Sequence, residues 1–134
     1  MSDDYLQWNI RGILDKKRRQ NKVDKITSFL EKPTNLKILN IQESHLITIE
    51  DEPSHFSNFK HLFHIVHNFA TIDDRSAGIC TFINKTEEII SNENLINGRL
   101  SYVKLKSTAN DEVRNIFSYY GKSRNSENEW KESL

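Results

Sequence analysis

The segment from Leu36 to Gln42 is apolar at both odd and even positions for most of its length. A strand with this pattern is buried on both faces, and such strands belong to parallel sheets covered by helices. Parallel neighbours need a crossover connection between them, usually a helix. The segment therefore predicts an α/β fold in which this strand pairs with another of the same direction.

The preceding residues supply the expected partner strand and crossover. Tyr5 to Ile10 is a short apolar-rich run, and Gly12 suits a tight exit from it. Leu14 to Lys32 contains no glycine or proline, and Pro33 closes it. Its second half has apolar residues spaced by three or four, which indicates an amphipathic helix. Strand, helix and strand within about 40 residues predict a βαβ unit with a right-handed crossover.

The remainder is predicted to form strands separated by polar connectors. The four predicted strands are Leu62 to Phe69, Ala77 to Ile83, Leu100 to Leu105 and Val113 to Tyr120. Thr48 to Phe59 is polar and contains a proline, which predicts a loop with a short helix. We expect one domain over residues 1–121, with a mixed sheet and one main helix packed on it. Residues 122–134 are polar and are expected to form a frayed tail.

The amino-acid composition limits the kinds of protein that this chain can be, but it does not indicate a binding partner. Nineteen basic residues balance nineteen acidic ones, so a polyanion site must come from local placement of charge. Cys80 is the only cysteine, which rules out an internal disulfide and favours a reducing compartment. No apolar run approaches the ~20 residues of a membrane helix, and the N-terminus lacks a secretory pattern. We expect an intracellular protein, in nucleus or cytoplasm, without a membrane partner.

Two polar residues fall where the predicted parallel strands end. Asn9 closes the first strand and Glu43 follows the second. Open α/β sheets bind ligands at the carboxyl ends of their strands, and neighbouring strands lie ~4.8 Å apart. A carboxylate and an amide are hard oxygen ligands that suit Mg²⁺ better than Zn²⁺. On spacing alone, a surface glutamate and a turn-forming asparagine are the simpler interpretation.

The residue strings around these positions resemble a known superfamily. Trp8-Asn9-Ile10-Arg11-Gly12 and Gln42-Glu43-Ser44-His45 are similar to the opening of endonuclease/exonuclease/phosphatase domains. The likeness is greatest to the apurinic-endonuclease-like domains of LINE-type, non-LTR retrotransposons, where threonine stands in place of Ser44. Three later strings resemble further family motifs in the same order. They are Ser76-Ala77-Gly78-Ile79-Cys80-Thr81-Phe82, Gly98-Arg99-Leu100 and Asn115-Ile116-Phe117-Ser118-Tyr119-Tyr120-Gly121, after which Lys122 replaces the family proline.

This resemblance implies a fold, a reaction and roles for particular residues. The fold would be one half of a four-layer αββα sandwich, and the reaction Mg²⁺-dependent hydrolysis of a phosphodiester, with DNA as substrate. Glu43 would bind the metal, and Asn9 would help to hold metal and scissile phosphate. Gln42 would orient its neighbour or cap the sheet edge. Arg99 would contact substrate or form a salt bridge at its turn.

The same resemblance assigns a phosphate-oxygen donor to one of two tyrosines. Tyr120 is the first choice and Tyr119 the second. Alternation along a strand places Tyr120 on one face with Ile116 and Ser118, and Tyr119 on the other face with Phe117. Only one of the two tyrosines can therefore point into the site.

Two family motifs are absent from the chain. The superfamily activates its water with a Ser-Asp-His motif and supplies polar groups from a Gly-Asp-x-Asn motif, and neither string occurs here. We therefore expect an incomplete enzyme. A non-catalytic protein- or nucleic-acid-binding module and a gene relic without function are the alternatives. An uncovered sheet face also predicts a homodimer or a partner protein.

Three histidines offer a weaker metal hypothesis. His61, His64 and His67 are spaced by three, which on a helix would form one face. Their segment is rich in strand-forming residues, and on a strand His64 points away from the other two. Ordinary surface histidines are thus favoured over a zinc site.

Overall fold

A computed structural model describes residues 5–13, 19–31 and 36–121. The predicted tail and the first residues of the predicted helix, 14–18, lie outside the described residues. The described part contains one α-helix, two short 3₁₀-helices and seven strands. In chain order the helix and strands are β1 (Tyr5–Asn9), α1 (Arg19–Glu31), β2 (Ile38–Gln42), β3 (Phe63–Asn68), β4 (Ile79–Asn84), β5 (Glu87–Ile96), β6 (Leu100–Ser107) and β7 (Val113–Tyr119). The 3₁₀-helices, Ile49–Asp51 and Ser54–Phe59, lie in the predicted loop.

The first four strands form a mixed sheet in the order β1-β2-β4-β3. β1 pairs with β2 in parallel, with α1 in the connection between them. β4 pairs antiparallel with both β2 and β3. All five residues of β2 are buried, as its apolar pattern predicts. The βαβ unit expected from the sequence is therefore confirmed.

The last three strands form a second, antiparallel sheet in the order β5-β6-β7. The expectation of a single sheet was incomplete, because the strands after β4 do not join the first one. β5 itself was expected to be a polar connector, which is wrong. Register shifts between Ile89 and Ser91 and between Asn94 and Ile96 break its alternation of apolar and polar residues. Most of its side chains are exposed, so the pattern carries no strand signal.

The four-stranded sheet is covered on both faces, which explains why β2 is apolar throughout. One face packs on α1 and the loop after β2, in a core that includes Leu39, Ile41 and Phe82. The other face packs on the three-stranded sheet, where Ile38 and Ile83 meet Val103 and Leu105. Helix, sheet and sheet form three successive layers. This is a mixed α+β architecture with one main helix, as expected from the resemblance.

Helix α1 is amphipathic. Val23, Ile26 and Leu30 are at most 5% exposed and face the sheet. Phe29 is 37% exposed and packs edge-on against Trp8 of β1, with ring centroids 5.7 Å apart. No described helix has both the length and the apolar character needed to cross a membrane.

Buried amide side chains connect the two sheets. Asn40 of β2 donates to the Ser118 hydroxyl of β7, and the Gln42 amide donates to the Tyr119 carbonyl oxygen at 2.9 Å. Asn68 of β3 reaches the turn between β5 and β6. These bonds place β7 over β2, and the β5–β6 turn over the end of β3, because buried polar groups must find partners.

We predict that Asn68→Ala destabilises the protein by about 2–4 kcal/mol. The Asn68 amide donates to the carbonyl oxygens of Ile96 and Leu100 at 3.0 and 3.1 Å, and its oxygen accepts from the Gly98 N–H at 2.7 Å. Alanine would remove these three bonds and would leave the Gly98 N–H without its acceptor, although the Ile96 carbonyl would still accept from Arg99 N. Chemical denaturation measures the change. Asn92→Ala, on an exposed position of β5, should change stability by less than about 0.5 kcal/mol; equal losses would contradict the prediction.

Candidate active site

The loops that carry the sequence motifs meet at one end of the sandwich. Backbone hydrogen bonds join the exit of β1 to the exit of β2, from Ile10 N to the Gln42 carbonyl and from Ile13 N to the Ser44 carbonyl, both 3.0 Å. Ser44 N donates to the Gly78 carbonyl at 3.1 Å, and Gly78 N to the Gly98 carbonyl at 2.9 Å. Tyr120 N in turn donates to the Arg99 carbonyl at 2.8 Å. Strings far apart in sequence thus form one connected backbone network.

Left-handed backbone conformations aim the side chains in this network. Arg11, Glu43 and His45 have φ values of 56°, 55° and 61°. Non-glycine residues adopt this conformation at an energetic cost, which the surrounding hydrogen bonds must offset. Gly12, at φ 92°, is also required for space, because a Cβ there would approach His45 Nδ1 to 2.5 Å. Gly12 therefore permits the close contact between the β1 exit and His45.

Asn9 and Glu43 lie side by side, as the strand topology predicts. The Asn9 amide nitrogen donates to a Glu43 carboxylate oxygen, and the Asn9 amide oxygen accepts from Arg11 N at 3.2 Å. His45 Nε2 lies 3.7 Å from the other Glu43 oxygen. The Glu43 side chain is 15% exposed. It is a largely buried carboxylate with polar groups on two sides.

Tyr120 joins this pair and Tyr119 does not. Ser118 is buried against β2, and the alternation of β7 directs Tyr120 to the same side. Burial raises the pKa of Tyr120, and the negative charge of the neighbouring Glu43 carboxylate raises it further, while Arg99 partly opposes both. Tyr120 therefore keeps its proton and is a hydrogen-bond donor over a wide pH range.

Arg99 is held in a fixed position beside Tyr120. Its Nε and one terminal nitrogen donate to the two Asp74 oxygens at 2.8 and 2.6 Å, and its other terminal nitrogen donates to the Gly121 carbonyl at 3.0 Å. The guanidinium carbon lies 4.7 Å from the Tyr120 ring centroid. Burial alone would lower the pKa of Arg99, but the Asp74 carboxylate outweighs it and raises the pKa. The salt bridge foreseen as the alternative for Arg99 is present, and a contact with substrate stays a prediction.

Gln42 occupies the capping position that was its second expected role. Its side chain is bound to the Tyr119 carbonyl, and the residue is 8% exposed. The bond ties the end of β2 to the end of β7 and so holds Glu43 near Tyr120. A role for Gln42 in binding substrate stays a prediction.

Sequence reasoning missed two residues that shape the site. Lys22 of α1 donates to the carbonyl oxygens of Arg11 and Gly12 at 3.0 and 2.8 Å, which fixes the β1 exit. Asp74 anchors Arg99 through an ion pair. Neither role has a local signal, since Lys22 sits in a basic run and Asp74 is 25 residues from its partner.

Solved structures with related folds are nuclease domains. The AP endonuclease LMAP from Leishmania major superposes with a TM-score of 0.60 at 14% identity, over 88% of this chain and 40% of that one. The APE2 catalytic domain from Xenopus laevis superposes with a TM-score of 0.57 at 13% identity, over 95% of this chain and 48% of that one. No protein-family model and no curated protein sequence matches the chain.

The chain has the endonuclease/exonuclease/phosphatase fold. Most of its length is covered by these alignments, and the fold expected from the sequence strings is confirmed. The chain spans just under half the length of the two solved proteins. At such low identity the likeness establishes the fold alone.

The candidate site offers few ligands for a metal ion. Among the described residues there is no group of three histidine, cysteine, aspartate or glutamate side chains that could hold one. The Glu43 carboxylate and the Asn9 amide oxygen are hard donors. Mg²⁺ commonly binds through one or two carboxylates and keeps several waters. The donor set therefore fits Mg²⁺ and does not fit a structural zinc site, which needs four protein ligands.

The histidines that suggested a zinc site do not converge. His67 points into the helix-side core, stacked on Phe69 with ring centroids 4.9 Å apart. Its Nε2 lies 2.6 Å from Glu52, whose other oxygen lies 2.8 Å from Lys60. Burial would raise the pKa of Glu52, but the hydrogen bonds from Lys60 and His67 outweigh it and lower the pKa. His67 is thus hydrogen-bonded to the Glu52–Lys60 ion pair, and these contacts hold the loop after β2 against β3.

We predict that Glu52→Gln reduces stability near neutral pH by about 1–2 kcal/mol. A carboxyl group whose pKa is lowered by folding stabilises the protein fully above its unfolded pKa and loses this effect as the pH falls through its folded pKa. The difference between parent and variant should therefore shrink below the ordinary value of 4.5. Urea denaturation at a series of pH values measures it. Glu50→Gln, an exposed control, should follow the parent, and a pH-independent difference for Glu52→Gln would contradict the prediction.

Proposed function

We propose that this chain provides the metal- and phosphate-binding half of a Mg²⁺-dependent phosphodiesterase site that acts on DNA. One observation carries the proposal. Asn9, Glu43, Tyr120 and Arg99 come from four different segments and meet at one end of the sandwich. They combine a carboxylate, an amide, a protonated phenol and a guanidinium. These are the groups needed to bind a divalent cation and a phosphodiester together.

The metal hypothesis rests on Glu43. Its carboxylate oxygens would hold Mg²⁺, with the Asn9 amide oxygen as a further ligand and water completing the shell. The ion would neutralise phosphate charge and polarise the phosphoryl oxygens. Asn9, through its bond to Glu43, already fixes the direction of the carboxylate.

Tyr120 and Arg99 would act on the phosphate itself. Tyr120 retains its proton because burial and Glu43 raise its pKa, so its hydroxyl can donate to a phosphate oxygen. Arg99 is engaged by Asp74 and lies against the Tyr120 ring. It therefore positions Tyr120 and adds positive charge near the developing negative charge of the transition state.

The remaining catalytic groups are not supplied by the strings of this chain. Water activation needs a general base, and the Ser-Asp-His and Gly-Asp-x-Asn strings are absent. We therefore propose an incomplete enzyme. The likeness of its N-terminal strings to LINE-type endonuclease domains supports a retroelement origin and DNA as substrate.

We predict that Mn²⁺, used as a paramagnetic probe of the Mg²⁺ site, broadens the amide signals of residues 9–12 and 43–45 selectively. Glu43→Gln should remove this broadening, because the carboxylate is the principal ligand. Nitrogen–proton correlation spectra during titration measure both effects. Glu88→Gln, at an exposed position of β5, is the matched control. Unchanged broadening in Glu43→Gln would refute the metal assignment.

We predict that any nicking of supercoiled plasmid DNA by the folded chain requires Mg²⁺. Nicking should disappear when EDTA is added and in the Glu43→Ala variant. In Tyr120→Phe the nicking rate should fall about 10- to 100-fold. Agarose-gel quantification of nicked circles gives the rates. Tyr119→Phe serves as the paired control, because the Tyr119 carbonyl and not its ring is tied to Gln42. Equal losses in both tyrosine variants would contradict the role given to Tyr120.

The second candidate function is a non-catalytic nucleic-acid-binding module. The observation that favours it is the lack of the Ser-Asp-His and Gly-Asp-x-Asn strings in the 134 residues. A folded protein that binds Mg²⁺ and DNA at Glu43 without nicking would support this candidate. Loss of both binding and nicking would oppose both candidates.

A further inference from the structure

Two strand edges of the sandwich are open, and both lie on the same side. Within the described residues no strand pairs with the outer edge of β1 or with the outer edge of β7. β7 lies over β2 because of the Asn40–Ser118 and Gln42–Tyr119 hydrogen bonds. The β5–β6 turn lies over β3 because of Asn68. The β1 edge of one sheet and the β7 edge of the other therefore face the same direction.

Neither edge has the features that protect exposed strands. Edge strands are normally blocked by lysine, proline or a bulge. β1 contains no charged residue, and the one charge on β7, Arg114, pairs with the buried Glu87 at 3.0 Å. The register shifts of the three-stranded sheet lie on β5, at its far edge. Among the residues that the structure describes, nothing on either edge therefore blocks pairing with another strand.

The two edges form a step that is complementary to itself. Since β7 lies over β2, β1 projects one strand beyond it. A two-fold axis parallel to the strands would place β1 of each copy beside β7 of the other copy. The projecting β1 strand of one copy would then occupy the space next to β7 in its partner. An axis perpendicular to the sheets would instead pair β1 with β1 and leave a gap between the two β7 strands. Only the first arrangement closes both sheets.

The register of this pairing follows from contacts within one copy. Gln7 is aligned with Asn40 in the parallel pair, and Asn40 bonds to Ser118. Gln7 and Ser118 are therefore at the same level along the strand direction. Rotation about an axis parallel to the strands does not change the position of a residue along the strand direction. Leu6 and Phe117 each precede the aligned residues by one position, so Leu6 lies beside Phe117 of the second copy.

Exposed apolar side chains flank both sides of this seam. On the helix side of β1, Leu6 and Phe29 are 39% and 37% exposed. On the outer face of the three-stranded sheet, Val113 and Phe117 are 49% and 61% exposed. Phe117 also lines a shallow cavity of about 420 Å³ together with Tyr102 and Leu95. The rotation brings these two surfaces into one continuous face. Apolar patches of this kind mark interaction sites.

We propose that two copies of this chain form a symmetric dimer through parallel pairing of β1 with β7. Each completed sheet has four strands from one copy and three from the other. The helices lie outside, which gives the α-β-β-α order of layers. Both Asn9–Glu43 pairs lie at the same end of the dimer. The proposal does not depend on any catalytic activity.

The solution mass of the full chain is the first test. Sedimentation velocity should give a species of twice 15.8 kDa. Phe117→Lys should weaken the dimer by at least about tenfold, because it places a charge in an apolar seam. Ile90→Lys, at a 46% exposed position on the opposite edge of the sheet, should leave the mass unchanged. A 15.8 kDa species at every concentration, or a dimer unaffected by Phe117→Lys, would overturn the proposal.

Disulfide trapping tests the register independently. Neighbouring strands place facing Cα atoms within the 4.4–6.8 Å range of disulfides, so Leu6→Cys/Phe117→Cys should form a covalent dimer on a non-reducing gel. Within one copy these side chains leave from opposite outer faces of sheets about 10 Å apart, which prevents an internal bond. Cys80 is fully buried. The control Leu6→Cys/Ile90→Cys should form no covalent dimer and should run as a monomer on the same gel. Efficient dimer formation by Leu6→Cys alone would show β1 paired with β1 and would refute the arrangement.

Discussion

The burial of β2 on both faces is the constraint on which the other elements depend. Helix α1 covers the face of Leu39 and Ile41, and the three-stranded sheet covers the face of Ile38. That second face also carries Asn40 and Gln42, whose amides would be costly to bury without partners. β7 supplies acceptors for the two amide nitrogens, the Ser118 hydroxyl for Asn40 and the Tyr119 carbonyl for Gln42. The polar residues of β2 thus determine where β7 lies, and so which tyrosine reaches Glu43.

The candidate site is a consequence of how these strands end. Backbone hydrogen bonds and left-handed residues turn each exit sharply, so that Glu43, Asn9 and Tyr120 share one location. Their mutual contacts set the chemistry. Glu43 is oriented by Asn9, and Tyr120 is kept protonated by burial and by Glu43. Arg99 adds a fixed positive charge because Asp74 prevents it from moving away.

Prediction from sequence succeeded where a local pattern coincided with the tertiary role. Continuous apolarity identified β2, helical spacing identified α1, and the order of strand ends placed Asn9 beside Glu43. Prediction failed where the local sequence pattern was interrupted, or where the interacting residues lie far apart in the sequence. β5 was missed because two register shifts and exposure of both faces erase strand alternation. The ion pair of Arg99 with Asp74 was left open because its members lie 25 residues apart.

By itself, the sequence determined the βαβ unit, the strand ends that carry Asn9 and Glu43, and the resemblance that pointed to the endonuclease/exonuclease/phosphatase fold. These depend on short-range patterns of apolar residues and on compact strings. Only the tertiary structure decided that the strands divide between two sheets and that Tyr120 meets Glu43. In the part of the chain that the structure describes, it also placed the unpaired edges of β1 and β7 on one side. These features arise from packing one sheet on another, where buried amides must find partners from distant segments, and no local pattern encodes that choice.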